Sequence, residues 1–222
     1  MINNRMHISN RFDDKGFTIL ELLIATAISS GAILMLMFGF LSISQTYTKG
    51  LTVAETQNTA RDVVNTISQS IQFGDPNTIN TSHIGVPDGW FCADNDIFVY
   101  QLGQSVAKGT DALVESSLDT ACPAVVQPLS TSSYPGAKEL LGPNMRLTAF
   151  NVIPGPDNTY AINLRVVYSV NNTFLIGVAQ PNGQPSLYYD VGSSKVICNG
   201  QAGQDFCATS GLQTVVESRI AN

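Results

Sequence analysis

The chain passes through three regimes of hydrophobic and polar patterning. From Phe17 to Ile43 run 27 residues among which Glu21 is the only charged one. As a helix that length reaches roughly 40 Å, enough to cross a hydrocarbon core of about 30 Å with tilt. From Gln45 to Phe73 there is no proline, and apolar residues recur at Val53, Ala60, Val64, Ile67 and Ile71. Those spacings predict a helix with one apolar face. Asn58, Arg61, Asp62 and Gln69 fall largely on its other faces, and Gly74-Asp75-Pro76 is a stop signal. One continuous helix is expected, apolar all round over 17–44 and amphipathic over 45–75.

Beyond Pro76 the pattern changes to short apolar runs between turn formers. Strands are expected at Ile97–Leu102, at Met145–Ile153 and, most clearly, at Tyr160–Val170. In that last stretch Tyr160, Ile162, Leu164, Val166, Tyr168 and Val170 alternate with the residues between them. Asn171-Asn172 is a turn signal into Thr173–Ala179, and Pro181-Asn182-Gly183 leads to Leu187–Val191. The expectation is an α+β protein. Residues 76–222 form a β-rich head, an antiparallel meander of about four strands whose apolar face covers the helix stripe. Residues 103–144 are expected to be an irregular connection, and Asp88-Gly89 and Asp157-Asn158 to be turns. No internal repeat is present.

Composition adds the compartment. Charged residues make up only 13% of the chain, with 18 Gly and 10 Pro, as in a loop-rich exported domain. Lys and Arg number 11 against 17 Asp and Glu, a net charge of −6. Without residues 1–16 the balance is 8 basic to 15 acidic residues, a net of −7. That surface disfavours generic phosphate binding. Cys92, Cys122, Cys198 and Cys207 all follow the apolar segment, without a C-x-x-C pair and with His7 and His83 distant in sequence. Two disulfides are expected in place of a zinc site. Of the three possible pairings, 92–122 with 198–207 closes the shortest loops.

Residues 1–16 carry Arg5, Arg11 and Lys15 ahead of the apolar run. The positive-inside tendency keeps that end cytoplasmic and sends the C-terminal bulk across. The apolar core is about twice the length of a secretory h-region, and no A-x-A cleavage pattern follows it. Its 14 Leu, Ile and Phe residues each favour insertion by about 0.3–0.6 kcal/mol, against roughly 3 kcal/mol opposing it for a central acid. Insertion wins, and a position near the cytoplasmic end lowers the cost of Glu21 further. The acid still needs a reason to be there.

Signals for catalysis are weak. No G-x-S-x-G elbow, H-E-x-x-H or P-loop is present, and no histidine pair offers a base with an orienter. Ser194-Lys195 is better explained as an exposed turn than as a dyad, because nothing positions an oxyanion hole. Asp94-Asn95-Asp96 has the start of a Ca²⁺ loop but lacks its spaced Gly and distal Glu. Trp90-Phe91 and Tyr188-Tyr189 are better explained as core than as a binding patch. No enzyme activity, cofactor or metal is expected. The sequons at Asn80 and Asn171 matter only in a glycosylating host.

The junction KGFTILELLIATAIS resembles the N-terminal signal of type IV pilins and of the pseudopilins of type II secretion. In that family a prepilin peptidase cuts after the glycine and methylates the new N-terminal residue. The resemblance places the cut between Gly16 and Phe17, makes 1–16 a cytoplasmic leader, and puts methylation on Phe17. Glu21 becomes the fifth mature residue, the family's hallmark acid. The resemblance is specific over residues 15–43 and architectural, long helix then β head, over the remainder. It implies a single-pass inner-membrane protein before assembly and an extracytoplasmic filament after it. The implied partners are prepilin peptidase, other pilin subunits, the inner-membrane assembly platform and the bilayer, with a host surface or DNA as ligands of the head. It also implies a charge pair between Glu21 and the freed ammonium at Phe17 of a neighbouring subunit. Ala27 and Gly31 form a small-xxx-small pair suited to close helix approach.

One departure from many major pilins is informative. Their proline at the twenty-second mature position, where the filament helix loosens, is Phe38 here, and no proline precedes Pro76. The mature chain of 206 residues is also long beside common major pilins. Residues 60–75 (ARDVVNTISQSIQFGD) and the run VVYSVNNTFLI are similar to minor pilins of the PilW type and to the related J pseudopilins. Those pseudopilins often carry Arg where Gly177 stands here. The expectation is a minor pilin, with a pseudopilin or a pilus-borne adhesin or DNA-binding module as alternatives.

Overall fold

The computed structural model describes residues 16, 18–86, 88–118, 136–170, 175–176, 178–179, 185–186, 197–198 and 207–219. The chain divides into two compact units, Met1–Ser44 and Gln45–Asn222. A single helix, α1 (Ile19–Phe73), contributes to both. It runs without interruption through Phe38 and Gly39, as the absence of proline predicts.

In the first unit α1 is apolar on every side, and all its described Leu, Ile, Met and Phe side chains are at least half exposed. The hydroxyls it carries are satisfied locally. Thr26 Oγ1 donates to the Leu23 carbonyl at 3.0 Å and Ser30 Oγ to that of Ala27 at 2.9 Å. Such back-bonding removes the cost of taking a hydroxyl out of water.

In the second unit α1 buries Thr52, Thr56, Ala60, Val63, Val64, Ile67 and Ile71. The stripe begins on threonines rather than on Val53, which is only half-buried at its margin. The reason is again local. Thr52 Oγ1 donates to the Thr48 carbonyl at 3.0 Å and Thr56 Oγ1 to that of Thr52 at 2.7 Å, so each presents its methyl to the core. Burial of the four Val and Ile side chains contributes roughly 6–12 kcal/mol.

Two sheets pack on this stripe, where a single meander was expected. The first is a five-stranded antiparallel meander of β1 (Asn80–His83), β2 (Asp88–Ala93), β3 (Asp96–Gln101), β4 (Leu113–Ser117) and β5 (Lys138–Glu139). The second is three-stranded. Its β6 (Met145–Pro154) and β7 (Thr159–Ser169) form a hairpin, and β12 (Cys207–Glu217) adds to the far side of β7. Two short pairs complete the described strands. β8 (Leu175–Ile176) pairs with β11 (Ile197–Cys198), and β9 (Val178–Ala179) pairs with β10 (Pro185–Ser186). The expected strand at Leu187–Val191 lies outside the described residues.

β4 and β5 fall inside the stretch expected to be irregular. Leu113 and Val114 are both buried, so β4 is covered on both faces and shows no period-two pattern to read. β5 is held by a side chain. The Glu139 carboxylate accepts from the backbone N–H groups of Ala112 (2.6 Å), Leu113 (3.1 Å) and Leu141 (2.9 Å). Asp88-Gly89, expected as a turn, opens β2 instead. A Cβ at Gly89 would collide with the Tyr100 hydroxyl and the His83 carbonyl, so glycine there serves close approach. Asp157 and Asn158 do form the β6–β7 turn, both at positive φ. β6 is irregular because a bulge between Leu147 and Ala149 shifts its register against β7.

The core joins the stripe to both sheets through Phe91, Phe98, Tyr100, Leu113, Leu147, Phe150, Ile162 and Leu164. Phe150 of β6 meets Tyr100 edge-on at 4.9 Å and Phe91 at 6.4 Å, which locks one sheet to the other. The other face of the first sheet carries a smaller cluster of Trp90, Cys92, Ile97 and Val99. Trp90 and Phe91 are therefore both core, on opposite faces.

The C-terminal end of α1 is closed from far along the chain. Ser218 Oγ donates to the Gly74 carbonyl at 2.9 Å, and the Arg219 N–H donates to the Gln72 carbonyl at 3.0 Å. These occupy acceptors that a helix end leaves open. A Cβ at Gly74 would stand 2.7 Å from the Ser70 carbonyl oxygen and 3.1 Å from Asp94 Cβ. Gly74→Val should therefore cost about 1–3 kcal/mol by overpacking, and Ser218→Ala about 1 kcal/mol by loss of one hydrogen bond. Urea unfolding of the full chain in detergent measures both. A Gly74→Val midpoint equal to wild type would contradict this packing.

Candidate functional site

The residues singled out at the N-terminal junction sit where the apolar helix begins. Gly16 is exposed and outside regular structure, and a Cβ on it would meet nothing within 4 Å. Phe17 lies outside the described residues. Thr18 is the N-cap of α1. Its Oγ1 accepts the Glu21 backbone N–H at 3.3 Å, and its carbonyl accepts the Leu22 N–H at 3.2 Å. Thr18-Ile19-Leu20-Glu21 is thus a T-x-x-E capping sequence, a local signal that was legible and passed over in favour of the acid alone.

Glu21 is exposed in the first turn of α1. An acid there is favoured by the partial positive charge of the helix start, by about 0.3–1 kcal/mol. No hydrogen bond from the described residues reaches its carboxylate. Its backbone is spent on the cap while its charge is not.

Around it, no described residue outside α1 buries the apolar surface. Phe38 is 72% and Leu36 74% exposed. At roughly 1.5–3 kcal/mol per fully buried side chain, burial on the order of 20 kcal/mol awaits surroundings outside the chain. Gly31 and Gly39 lie inside this helix, where each costs about 1 kcal/mol relative to Ala. A Cβ on either would meet nothing within 4 Å. Packing within the chain does not require them. The length and apolarity of α1 suit a membrane span or a signal anchor.

The described cysteines are disulfide-bonded. Cys198 and Cys207 form a disulfide across 9 residues, joining β11 to β12. Cys92 is disulfide-bonded as well, and Cys122 lies outside the described residues. Ser194-Lys195 and Tyr188-Tyr189 also lie outside them.

The acidic triplet has a structural occupation. Asp94, at positive φ, is the first residue of the two-residue hairpin turn between β2 and β3. Asp96 accepts from Ser70 Oγ of α1 at 2.8 Å and from Ser117 Oγ of β4 at 3.1 Å, so it ties the helix to the sheet. Glu115 lines the same recess. Among the described residues no group of His, Cys, Asp and Glu has metal-binding geometry. A buried cation was also missed in the sequence. Arg146 of β6 is 2% exposed, donates from Nη2 to the Ser169 carbonyl at 3.3 Å, and has its pKa lowered by burial.

No protein-family model, curated protein or solved structure matches this chain.

Burial raises the Glu115 pKa above its ordinary value, and the Asp96 charge adds to the rise while Lys138 opposes it. A carboxyl raised by folding binds its proton more tightly in the native state. Its ionised form therefore costs stability, and that cost is absent below the unfolded pKa and complete above the folded one. Stability should fall as pH rises through this window. Glu115→Gln should remove its share of the fall, so its gain in urea midpoint over wild type is larger at neutral pH than at pH values below the carboxylate range. A gain independent of pH would contradict the assignment.

Proposed function

We propose that this chain is a prepilin of the type IV pilin class, cut between Gly16 and Phe17 and assembled as a minor subunit of an extracytoplasmic filament. The observation that carries this is Glu21. It is a carboxylate without a hydrogen-bond partner among the described residues, in the first turn of a helix whose first half keeps its large apolar side chains at least half exposed among the described residues.

The chemistry follows from the two states that such a helix must occupy. Before assembly, lipid solvates residues 19–43. After extraction, only other apolar helices can do so, and neighbouring copies of this segment have the right length and surface. Cleavage after Gly16 creates an ammonium at Phe17, four residues from Glu21 and at similar depth. An isolated ammonium and an isolated carboxylate each cost several kcal/mol in that environment, and pairing between adjacent subunits relieves both. The pair then fixes the axial step between neighbours. Ala27 and Gly31 leave room for a neighbouring helix along the same seam.

A minor rather than a major subunit is supported by the unbroken course of α1 through Phe38. A helix with no proline and one glycine at that point has little reason to loosen on assembly. Many major pilins use a proline there for that purpose. Methylation of Phe17 by the peptidase, interaction with the inner-membrane assembly platform, and display of the head for adhesion, motility or DNA uptake belong to the same proposal.

The capping role of Thr18 and the charge of Glu21 are separable. Glu21→Ala should leave processing intact and lower the amount of this subunit in sheared filaments by at least about tenfold, since an unpaired buried charge costs several kcal/mol. Thr18→Ala removes the cap, about 1 kcal/mol, but keeps the charge, and should leave incorporation close to wild type. Immunoblotting of sheared filaments against whole cells reads both. Equal incorporation of Glu21→Ala and wild type would remove the charge pair.

A further inference from the structure

The outer face of the three-stranded sheet carries a row of side chains without a described hydrogen bond. Register places Asn151 of β6 opposite Asn163 of β7, and Asn163 opposite Gln213 of β12. Three carboxamides therefore stand side by side across three strands, about 4.8 Å apart from strand to strand. Asparagine is depleted in strands, and here two of the three positions lie mid-strand. Asn151 and Asn163 are half-buried and Gln213 is exposed. No described hydrogen bond engages any of the three side chains.

The next row along the same face is Ala149, Arg165 and Gly211. Arg165 thus has a small residue on either side. A Cβ at Gly211 would lie 3.6 Å from Arg165 Nε, an ordinary contact, so neither strain nor crowding excludes a side chain there. Glycine weakens a strand interior, yet its presence keeps the face open. The two rows line a cleft of about 450 Å³, with Leu102 and Ile153 adding apolar surface. That size falls within the range of small-molecule sites.

The geometry points to a saccharide site. A carboxamide offers a donor pair and an acceptor without charge, which suits a ligand whose groups both donate and accept, namely hydroxyls. Three of them in register span roughly 10 Å, about the length of a disaccharide. A peptide strand is disfavoured, since it would need a sheet edge for its backbone and the cleft is centred on β7, the middle strand. Nucleic acid is disfavoured by one cation in the cleft on a chain of net charge −6. The site is independent of the assembly chemistry at Glu21.

The full-length protein in detergent, titrated calorimetrically with cellobiose, should bind it saturably. Glucose, which can reach only part of the row, should bind at least about fivefold more weakly. Gly211→Val fills the cleft floor with a residue that favours strands, and should weaken binding by about tenfold or more without lowering the thermal midpoint. Asn163→Ala should weaken it by about fivefold and serves if Gly211→Val misfolds. Absence of saturation by tens of millimolar, equal binding of the two sugars, or binding unchanged by these substitutions would overturn the site.

Discussion

A helix whose first half stays exposed among the described residues sets the terms for everything else. Residues 19–43 present Leu, Ile, Met and Phe on every side, and each described one is at least half exposed. Water is the one solvent such a surface cannot tolerate. Lipid and the flanks of similar helices are the two that it can. In the proposed reading the same helix occupies both, and a single acid near its start is the one group for which the two differ. In lipid Glu21 would be costly and unrelieved, whereas between helices a neighbour's terminal ammonium would relieve it.

The second half of α1 solves the opposite problem. Its stripe from Thr52 to Ile71 is narrow, and two sheets close over it. The Tyr100–Phe150–Phe91 contacts bind those sheets together, while Ser218 and Arg219 satisfy carbonyls at the helix end. Asp96 adds a polar tie between α1 and the first sheet through Ser70 and Ser117. The head is thus organised around the helix it receives. The carboxamide row lies on the other face of the three-stranded sheet, away from the helix stripe.

What the sequence revealed depended on whether a residue's neighbours were local. Hydropathy alone identified the helix and β7 by their periods, the helix end at Gly74 by its stop residues, and β3 and β6 as apolar runs between turn formers. Local side-chain bonding hid Thr52 and Thr56, polar by name but satisfied on the helix backbone. β4 was hidden because burial on both faces erases alternation. β12 was hidden by its Thr, Ser, Gly and Gln residues, whose strand character comes from eleven paired positions on β7. The division into two sheets was not legible at all, since it depends on which runs pair across 38 to 58 residues, from Cys207↔Ser169 to Glu217↔Thr159. At the candidate assembly site the acid was conspicuous, whereas the Thr18 cap beside it needed the T-x-x-E spacing to be read as a unit. The carboxamide row was invisible for a stronger reason. Asn151, Asn163 and Gln213 become neighbours only once the register of three strands is known.

The central claim is that the chain begins its working life at Phe17. Intact-mass and N-terminal peptide mass spectrometry of the protein extracted from membranes tests it most directly. The account predicts a chain that starts at Phe17 with a methylated amine and retains everything beyond it. A mature protein that still carries residues 1–16, or one cut after the apolar segment, would contradict it.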